Sequence, residues 1–177
     1  PAYLDKWDAA KSFKDNICRL VLTPSGALYG EADAVISAEL RELSAYSTIL
    51  AAIARGENKL NDIFHATGFS RAKISVYLKN LANFNIVEKV VSFETGGWEN
   101  AKKGVYQIKD TFVNFWFKFV YPNMSNLYLL SPEEFYDTYI EKELDAYLER
   151  YFREVCTEYL LILNQMGQLP LDRKSVV

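Results

Sequence analysis

Apolar residues in the middle of the chain recur with a helical period. Ile74, Leu78 and Leu81 are spaced i, i+4 and i+7, which places them on one face of a helix. We therefore predict a helix from Ser70 to Asn83 whose apolar face seals a core. The opposite, outward face carries mainly polar and small residues: Ala72, Lys73, Val76, Lys79, Asn80 and Asn83.

The residues on either side complete a recognisable arrangement. A shorter helix is predicted over Leu60–Thr67 and ends at Gly68, because glycine readily takes the left-handed conformation just past a helix end. Asn85, which tolerates a positive φ better than most residues, follows the second helix. Two strand-like runs, Ile86–Phe93 and Val105–Lys109, then enclose a polar loop. A helix-turn-helix followed by a hairpin wing is the winged-helix pattern.

The distribution of charged residues suggests a function for the helix-turn-helix. Between Ser70 and Asn83 three basic side chains and no acidic one occur, although the whole chain has a net charge of -3. In helix-turn-helix proteins the N-terminal part of the second helix reaches base edges, and lysines pair with phosphates. The predicted contacts to double-stranded DNA lie on this helix and on the wing: Ser70, Arg71, Lys73, Ser75, Lys79, Asn80, Lys102 and Lys103.

Other interpretations of the same residues remain open. Lysines on an exposed helix often form only a solvated surface, and many winged helices bind proteins or pack within their own chain. Ala72 and Val76 stand where a strong DNA reader often carries polar side chains. The wing, with Trp98 and Asn100 near its lysines, is equally compatible with phosphate contact and with a mobile polar loop.

The N-terminal part is predicted to be helical. Ser12 can cap a first helix, and a second is expected over 31–42. Ser44 is predicted to cap a third helix over 45–55, which Gly56 ends.

The region after the wing is rich in aromatic residues. Asp110 can cap a helix over 111–121 that is apolar on nearly every side, so we expect it to be buried, with Pro122 ending it. Ser131, Pro132 and Glu134 then form a strong helix start. The helix that follows, to residue 164, is expected to break near 143–145. Its wide apolar face predicts either a further part of the domain or a dimer partner.

Composition narrows the remaining possibilities. The fold class predicted is mainly α with a small β-hairpin, in three segments: 1–43, 44–110 and 111–177. No apolar run is long enough for a bilayer and there is no signal peptide, so we expect a cytoplasmic protein without a membrane partner. One histidine, His65, and two distant cysteines make a metal site improbable. The start at Pro1 leads us to expect a piece of a longer protein.

Several runs resemble one family. Leu28-Tyr-Gly-Glu-Ala32, the run Tyr46–Gly56, Lys102-Lys-Gly-Val-Tyr106 and the aromatic run Asp110–Asn123 are similar to the region after the ATPase domain of archaeal-type AAA+ ATPases, which also occur in bacteria. The opening Pro1-Ala-Tyr-Leu4 is similar as well. Members of this family carry a P-loop ATPase, a winged helix and a C-terminal domain of unknown function that is similar to restriction endonucleases.

The resemblance implies a non-catalytic role for this chain. No Gly-rich Lys-Ser/Thr loop occurs, so no cofactor is expected here, and ATP and Mg belong to the ATPase domain. Glu154, in the run Phe152-Arg-Glu154, resembles an outlying acid of the nuclease-like site, but the acidic and lysine cluster is absent. We therefore favour the alternative that Glu154 is a solvated helix carboxylate, and we expect no nuclease activity. The leading hypothesis is a DNA-positioning region of an ATPase, with the ATPase and C-terminal domains as partners. The alternatives are an interaction module, including a homodimer, and a free-standing transcriptional regulator.

Overall fold

The computed structural model describes residues 3–37, 40, 42–90 and 104–168 of the 177-residue chain. The described chain is mainly helical with one two-stranded antiparallel sheet, which confirms the predicted fold class. The bounds are α1 Phe13–Ile17, α2 Glu31–Ser37, α3 Leu43–Ala54, α4 Leu60–Thr67, α5 Arg71–Asn83, β1 Val87–Val90, β2 Val105–Ile108, α6 Thr111–Phe115, α7 Met124–Leu127, α8 Pro132–Tyr139 and α9 Glu141–Gln165.

The chain divides into two compact units, Pro1–Phe135 and Tyr136–Val177. The first contains α1 to α7, the sheet and the beginning of α8, and the second contains the end of α8 and all of α9. The three segments predicted from the sequence, with boundaries after residues 43 and 110, remain a prediction.

The N-terminal helix begins as predicted. The Ser12 hydroxyl accepts a hydrogen bond from the Asp15 amide, and the Asp15 carboxylate accepts one from the Ser12 amide, so the two residues form a capping box. A π-helical segment, Cys18–Leu22, continues α1 and is largely buried. Gly26 lies so close to it that an added Cβ would stand 2.4 Å from the Leu20 carbonyl oxygen, which explains the need for glycine in this turn.

The second helix lies where it was predicted over its described part, Glu31–Ser37, and residues 38, 39 and 41 lie outside the described residues. The third helix differs from the prediction. Helix α3 begins at Leu43 after Glu42, so the predicted cap at Ser44 is wrong. Ser44 already lies in the first turn, and its carbonyl accepts a hydrogen bond from the Thr48 hydroxyl. The N-terminus of α3 has no side-chain cap, and the helix is stabilised by burial of nearly its whole length from Ala45 to Ala54.

The helix pair α4–α5 follows the sequence prediction closely. Gly68 ends α4 with a φ of 69°, and its amide donates to the Phe64 carbonyl. Ser70 caps α5, since its hydroxyl accepts from the Lys73 amide. Asn85 has the predicted positive φ, 61°. Short-range capping therefore fixes both ends of the turn between the two helices.

The two strands pair antiparallel, with Val87 opposite Ile108 and Val90 opposite Val105. Strand β1 begins one residue later than predicted and β2 ends one residue earlier, while residues 91–93 of the first predicted run lie outside the described residues. Helix α3 contacts α4, β2 and the aromatic segment after β2, so α3 lies at the centre of the first unit.

The aromatic segment after β2 is buried as predicted. The Asp110 carboxylate accepts from the Val113 amide and starts α6. A π-helical segment, Trp116–Val120, follows α6, and Pro122 then lies inside a short 3-10 helix, Tyr121–Asn123, that leads into α7. The buried helical run thus ends just before Pro122, as predicted, and a new short helix follows because a proline near a helix start needs no hydrogen-bonded amide.

Two polar atoms in this buried segment are unusual. Among the described residues, the Asn114 Oδ1 and the Trp116 Nε1 have no hydrogen-bond partner although both are fully enclosed. Such atoms cost stability because they lose water without a replacement. The surrounding aromatic packing must offset that cost.

The second unit is dominated by one long helix. Glu134 completes the predicted capping box with Ser131 at the start of α8. The break between α8 and α9 falls at Ile140, not near 143–145. Helix α9 leaves many large apolar side chains exposed, as its sequence predicted. None of the helices among the described residues combines the length and hydropathy that a membrane crossing requires.

Candidate functional site

The candidate site is the outward face of α5. The inward face packs in the core and fixes the orientation of the helix. Ile74, Leu78 and Leu81 are at most 1 % exposed, which confirms the predicted apolar face. Ile63 on α4 is also fully buried, and α4 packs against α5. Because these side chains are large and enclosed, α5 has little freedom to rotate, so its outward residues have fixed positions.

Arg71 is held at the junction of the two helices. Its guanidinium carbon lies 4.1 Å from the centre of the Phe64 ring, a cation–π distance. Its Nη2 donates a 2.6 Å hydrogen bond to the Asn61 Oδ1. A guanidinium has five N–H donors, so Arg71 retains donors for a phosphate while α4 fixes its orientation.

Lys73 is placed over aromatic rings. Its ammonium nitrogen lies 4.4 Å from the centre of the Phe69 ring and 5.3 Å from that of Tyr77. These contacts hold a flexible cation on the exposed side of α5 without neutralising it. Lys79, two turns along the helix, is exposed.

Two predicted contact residues are used inside the protein. The Asn80 Nδ2 donates a 2.8 Å hydrogen bond to the Tyr46 hydroxyl, and the Asn80 side chain is half-buried. The Ser70 hydroxyl serves as the cap of α5. Base readout through either residue would require breaking these contacts first, so the structure favours a positioning role for both.

The remaining outward face combines cations with small and apolar groups. Ser75 is exposed, and so are Ala72 and Val76, the latter by 56 %. Cations of this kind contact phosphates, and exposed methyl groups can contact the methyl of thymine in a major groove. Around the exposed surface of α5, Arg71 and Ser75 lie on one flank, Lys79 lies near the middle and Lys73 lies on the other flank.

A hydrogen-bond network that the sequence did not reveal anchors this helix. The Tyr77 hydroxyl donates to the Glu42 carboxylate at the start of α3. The Tyr77 ring packs against the Tyr46 ring at a centre-to-centre distance of 4.3 Å. Since Tyr46 also accepts from Asn80, these four residues join α5 to α3. The spacing of Tyr77 and Asn80, one helical turn apart, was the available signal, but their partners are 34 or more residues away.

The network predicts a pH dependence of stability. The hydrogen bond to Glu42, followed by burial and the nearby negative charge, raises the pKa of Tyr77 from 10.0 to about 12. A raised pKa means that the stabilisation is complete below pH 10 and is lost as pH rises towards 12. We expect the free energy of unfolding, measured by urea titration monitored by circular dichroism, to fall across this window.

The variant Tyr77→Phe tests the assignment. Phenylalanine cannot ionise, so the fall in the free energy of unfolding between pH 10 and 12 should be smaller in the variant than in the wild type. Tyr3, whose pKa is also raised to about 12 by burial and by Asp110, remains in the variant and accounts for part of the residual fall. An unchanged slope in Tyr77→Phe would show that the Glu42 contact does not persist in solution.

Some predicted site residues lie outside the described part of the chain. These are Lys102 and Lys103 on the wing, together with Trp98 and Asn100. The side chain of Glu154 is likewise not described. Their proposed roles stay predictions.

In the described part of the chain, neither a separate cavity nor a cluster of metal-binding side chains offers an alternative functional site. A 390 Å³ cavity in the first unit is lined by side chains of both charge signs: Lys11, Asp15, Cys18, Arg19, Thr23 and Glu133. Within the described ranges, no three or more His, Cys, Asp or Glu side chains are grouped to hold a metal ion. The outward face of α5 remains the surface with the most coherent chemistry.

Comparisons with known proteins relate the chain to archaeal and bacterial sequences. Residues 116–177 match the model of the DUF234 family, described as "Archaea bacterial proteins of unknown function". The match begins inside the buried aromatic segment, so the α4–α5 pair lies before it. No solved structure matches the chain.

A curated relative matches over nearly the whole chain. It is an uncharacterized protein of Methanocaldococcus jannaschii, 32 % identical over 171 residues, which are 96 % of this chain and 37 % of the relative. The chain thus spans little more than a third of that relative's length. The chain is therefore similar to an archaeal protein across α4 and α5, and its last third matches the DUF234 family.

Proposed function

We propose that this chain binds double-stranded DNA through the outward face of α5, as the winged-helix region of an AAA+ ATPase-type protein. The observation that carries the proposal is that Arg71, Lys73 and Lys79 are all exposed around the outward surface of α5, whose inward side is buried. No acidic residue occurs between residues 70 and 83, so nothing on the helix itself opposes a phosphate.

The geometry of the helix pair supports the same proposal. Gly68 and Ser70 form a short turn, and the second helix exposes its N-terminal residues. In DNA-binding helix-turn-helix units this end of the helix enters the major groove. Arg71 and Lys73 lie in the first turn of α5, where the partial positive charge of the helix end adds to theirs.

The placement within a larger protein rests on sequence. The runs that resemble the region after an AAA+ ATPase domain, and the DUF234 match over residues 116–177, are compatible with each other. In this proposal the chain positions an ATPase on DNA. ATP and Mg bind to a domain other than this one, and this chain performs no catalysis.

Fluorescence anisotropy of a labelled duplex titrated with the chain tests DNA binding. We expect binding at low salt whose affinity falls as salt rises, because lysine–phosphate contacts release counterions. Each single charge reversal, Lys73→Glu or Lys79→Glu, should make the negative slope of log affinity against log salt shallower by about 1. The double variant should show no detectable binding.

A matched control separates α5 from general charge. Lys11→Glu makes the same charge change at an exposed lysine on another part of the first unit. It should leave most of the affinity intact. Lys73→Glu should also fold normally, since an acidic residue near a helix N-terminus is favourable and Glu can complete a capping box with Ser70. Equal losses in Lys11→Glu and Lys79→Glu would overturn the assignment to α5.

A second candidate function is an interaction module. The exposed Val76, with Ala72 and Phe84 also exposed, favours it because apolar side chains on an outward helix face suit a protein partner. In this case the helix pair docks onto an ATPase or another chain. Absence of DNA binding at low salt would select this function over the first.

A further inference from the structure

The second half of α9 exposes a regular row of apolar side chains. Leu148 is 39 % exposed and Phe152 is 69 % exposed, and the other members lie between these values. The row consists of Leu148, Phe152, Val155, Tyr159, Ile162 and Met166, and we call it the α9 seam.

The spacing of the α9 seam indicates the shape of its partner. Successive members are separated by four, three, four, three and four residues. This alternation is the heptad pattern, in which one apolar row meets a second helix along its length. Leu160 and Leu161 are also exposed, by 43 % and 41 %, but lie outside this row. A second helix is the partner that fits the spacing of the α9 seam.

The α9 seam is complementary to itself in the antiparallel direction. If a two-fold axis passes beside Thr157, Leu148 faces Met166 of a second copy. Phe152 then faces Ile162, and Val155 faces Tyr159. Each aromatic ring meets an aliphatic side chain, which lets the layers interdigitate. A parallel pair would place two Phe152 rings in one layer and two Val155 side chains in the next.

Charge also favours the antiparallel arrangement. Residues 141–150 carry four acidic and two basic side chains, whereas residues 155–166 carry Glu158 alone. A parallel pair would bring the two acidic halves together and align both helix dipoles. In the antiparallel register, residues 148–166 of the two copies overlap, so residues 141–147 of each copy lie beyond the overlap, the two acidic segments stay apart and the helix dipoles oppose each other.

The exposed area is large enough for association. The six residues present roughly 600 Å² per copy, so a pair that covered all of this surface would bury about 1,200 Å², the lower end of the range for specific interfaces. We propose that two copies of this chain form an antiparallel homodimer through the α9 seam. This contact is independent of DNA binding by α5.

The oligomeric state of the chain tests the proposal. Light scattering coupled to gel filtration should show the mass rising from one copy towards two as concentration increases. Ile162→Asp, which places a carboxylate in the α9 seam, should weaken association at least about tenfold. Leu161→Asp is the matched control: it is the neighbouring residue, 41 % exposed, but it lies outside the α9 seam. It should still dimerise.

Two outcomes would overturn dimerisation through the α9 seam. A wild-type chain that stays monomeric at high concentration would show that the α9 seam is covered by another segment or protein. Equal weakening by Leu161→Asp and Ile162→Asp would show a contact wider than the seam. Circular dichroism should confirm that both variants keep the helical content of the wild type.

Cross-linking at Cys156 distinguishes an antiparallel pair of α9 helices from a parallel pair. Cys156 lies next to the inferred axis and is half-buried, whereas Cys18 is buried. In the antiparallel dimer both Cys156 thiols lie on the same flank, so a short bismaleimide should join two copies. The joined species should be absent in Cys156→Ser. A dimer by light scattering that the reagent fails to join would contradict the antiparallel direction.

Discussion

Phe117→Ala should lower the free energy of unfolding by about 3–5 kcal/mol. Phe117 is fully buried in the π-helical segment after α6, and its ring packs 5.1 Å from that of Tyr121. Removing the ring loses its transfer free energy and leaves a cavity that neighbouring Trp116 and Phe119, themselves buried, cannot easily fill. Urea titration monitored by circular dichroism measures the loss.

Two companion variants make the result specific. Phe117→Leu keeps most of the volume and should cost less than Phe117→Ala. Phe84→Ala removes the same ring from a position that is 42 % exposed and should cost about 1 kcal/mol. If Phe84→Ala proved as costly as Phe117→Ala, the aromatic segment would not be the core of the first unit.

Leu78→Ala should cost about 2–5 kcal/mol. Leu78 is 1 % exposed on the inward face of α5, so the substitution leaves a cavity beneath the helix that carries the proposed DNA contacts. Because α5 is held by this face and by the Tyr77–Glu42 bond, the variant should unfold at lower urea concentration. The same denaturation measurement applies.

The control lies two residues earlier on the same helix. Val76→Ala removes two methyl groups from a side chain that is 56 % exposed, and alanine is the better helix former. Its stability should therefore be unchanged or slightly higher. A loss comparable to that of Leu78→Ala would mean that Val76 is covered in solution, which would favour the interaction module over DNA binding.

The sequence by itself determined the helix ends that depend on nearby residues. Gly68 and Ser70 set the turn between α4 and α5, Asp110 starts α6, and Ser131 with Glu134 starts α8. Each of these caps joins atoms within four residues, so local chemistry suffices to predict it. The apolar face of α5 was also predictable, since a helix repeats its faces regularly.

Only the tertiary structure decided which polar side chains of α5 remain available. Asn80 and Arg71 were both predicted contact residues. Asn80 bonds to Tyr46, whereas Arg71 retains donors for a phosphate while Asn61 and Phe64 fix its orientation. The sequence did not indicate that Glu42 is the hydrogen-bond partner of Tyr77. Partners 7 to 35 residues away are brought close by the packing of α3, α4 and α5, and no local pattern encodes which pairs meet.

Tertiary packing also decided where helices begin and end when no local cap is present. Helix α3 begins at Leu43 with no side-chain cap, and the break before α9 falls at Ile140, which is fully buried. At such positions burial outweighs the small free energies of capping and helix propensity. The sequence thus determined where local hydrogen bonds start and stop the helices, and the tertiary packing determined the rest because its free energies are larger and its contacts are long-range.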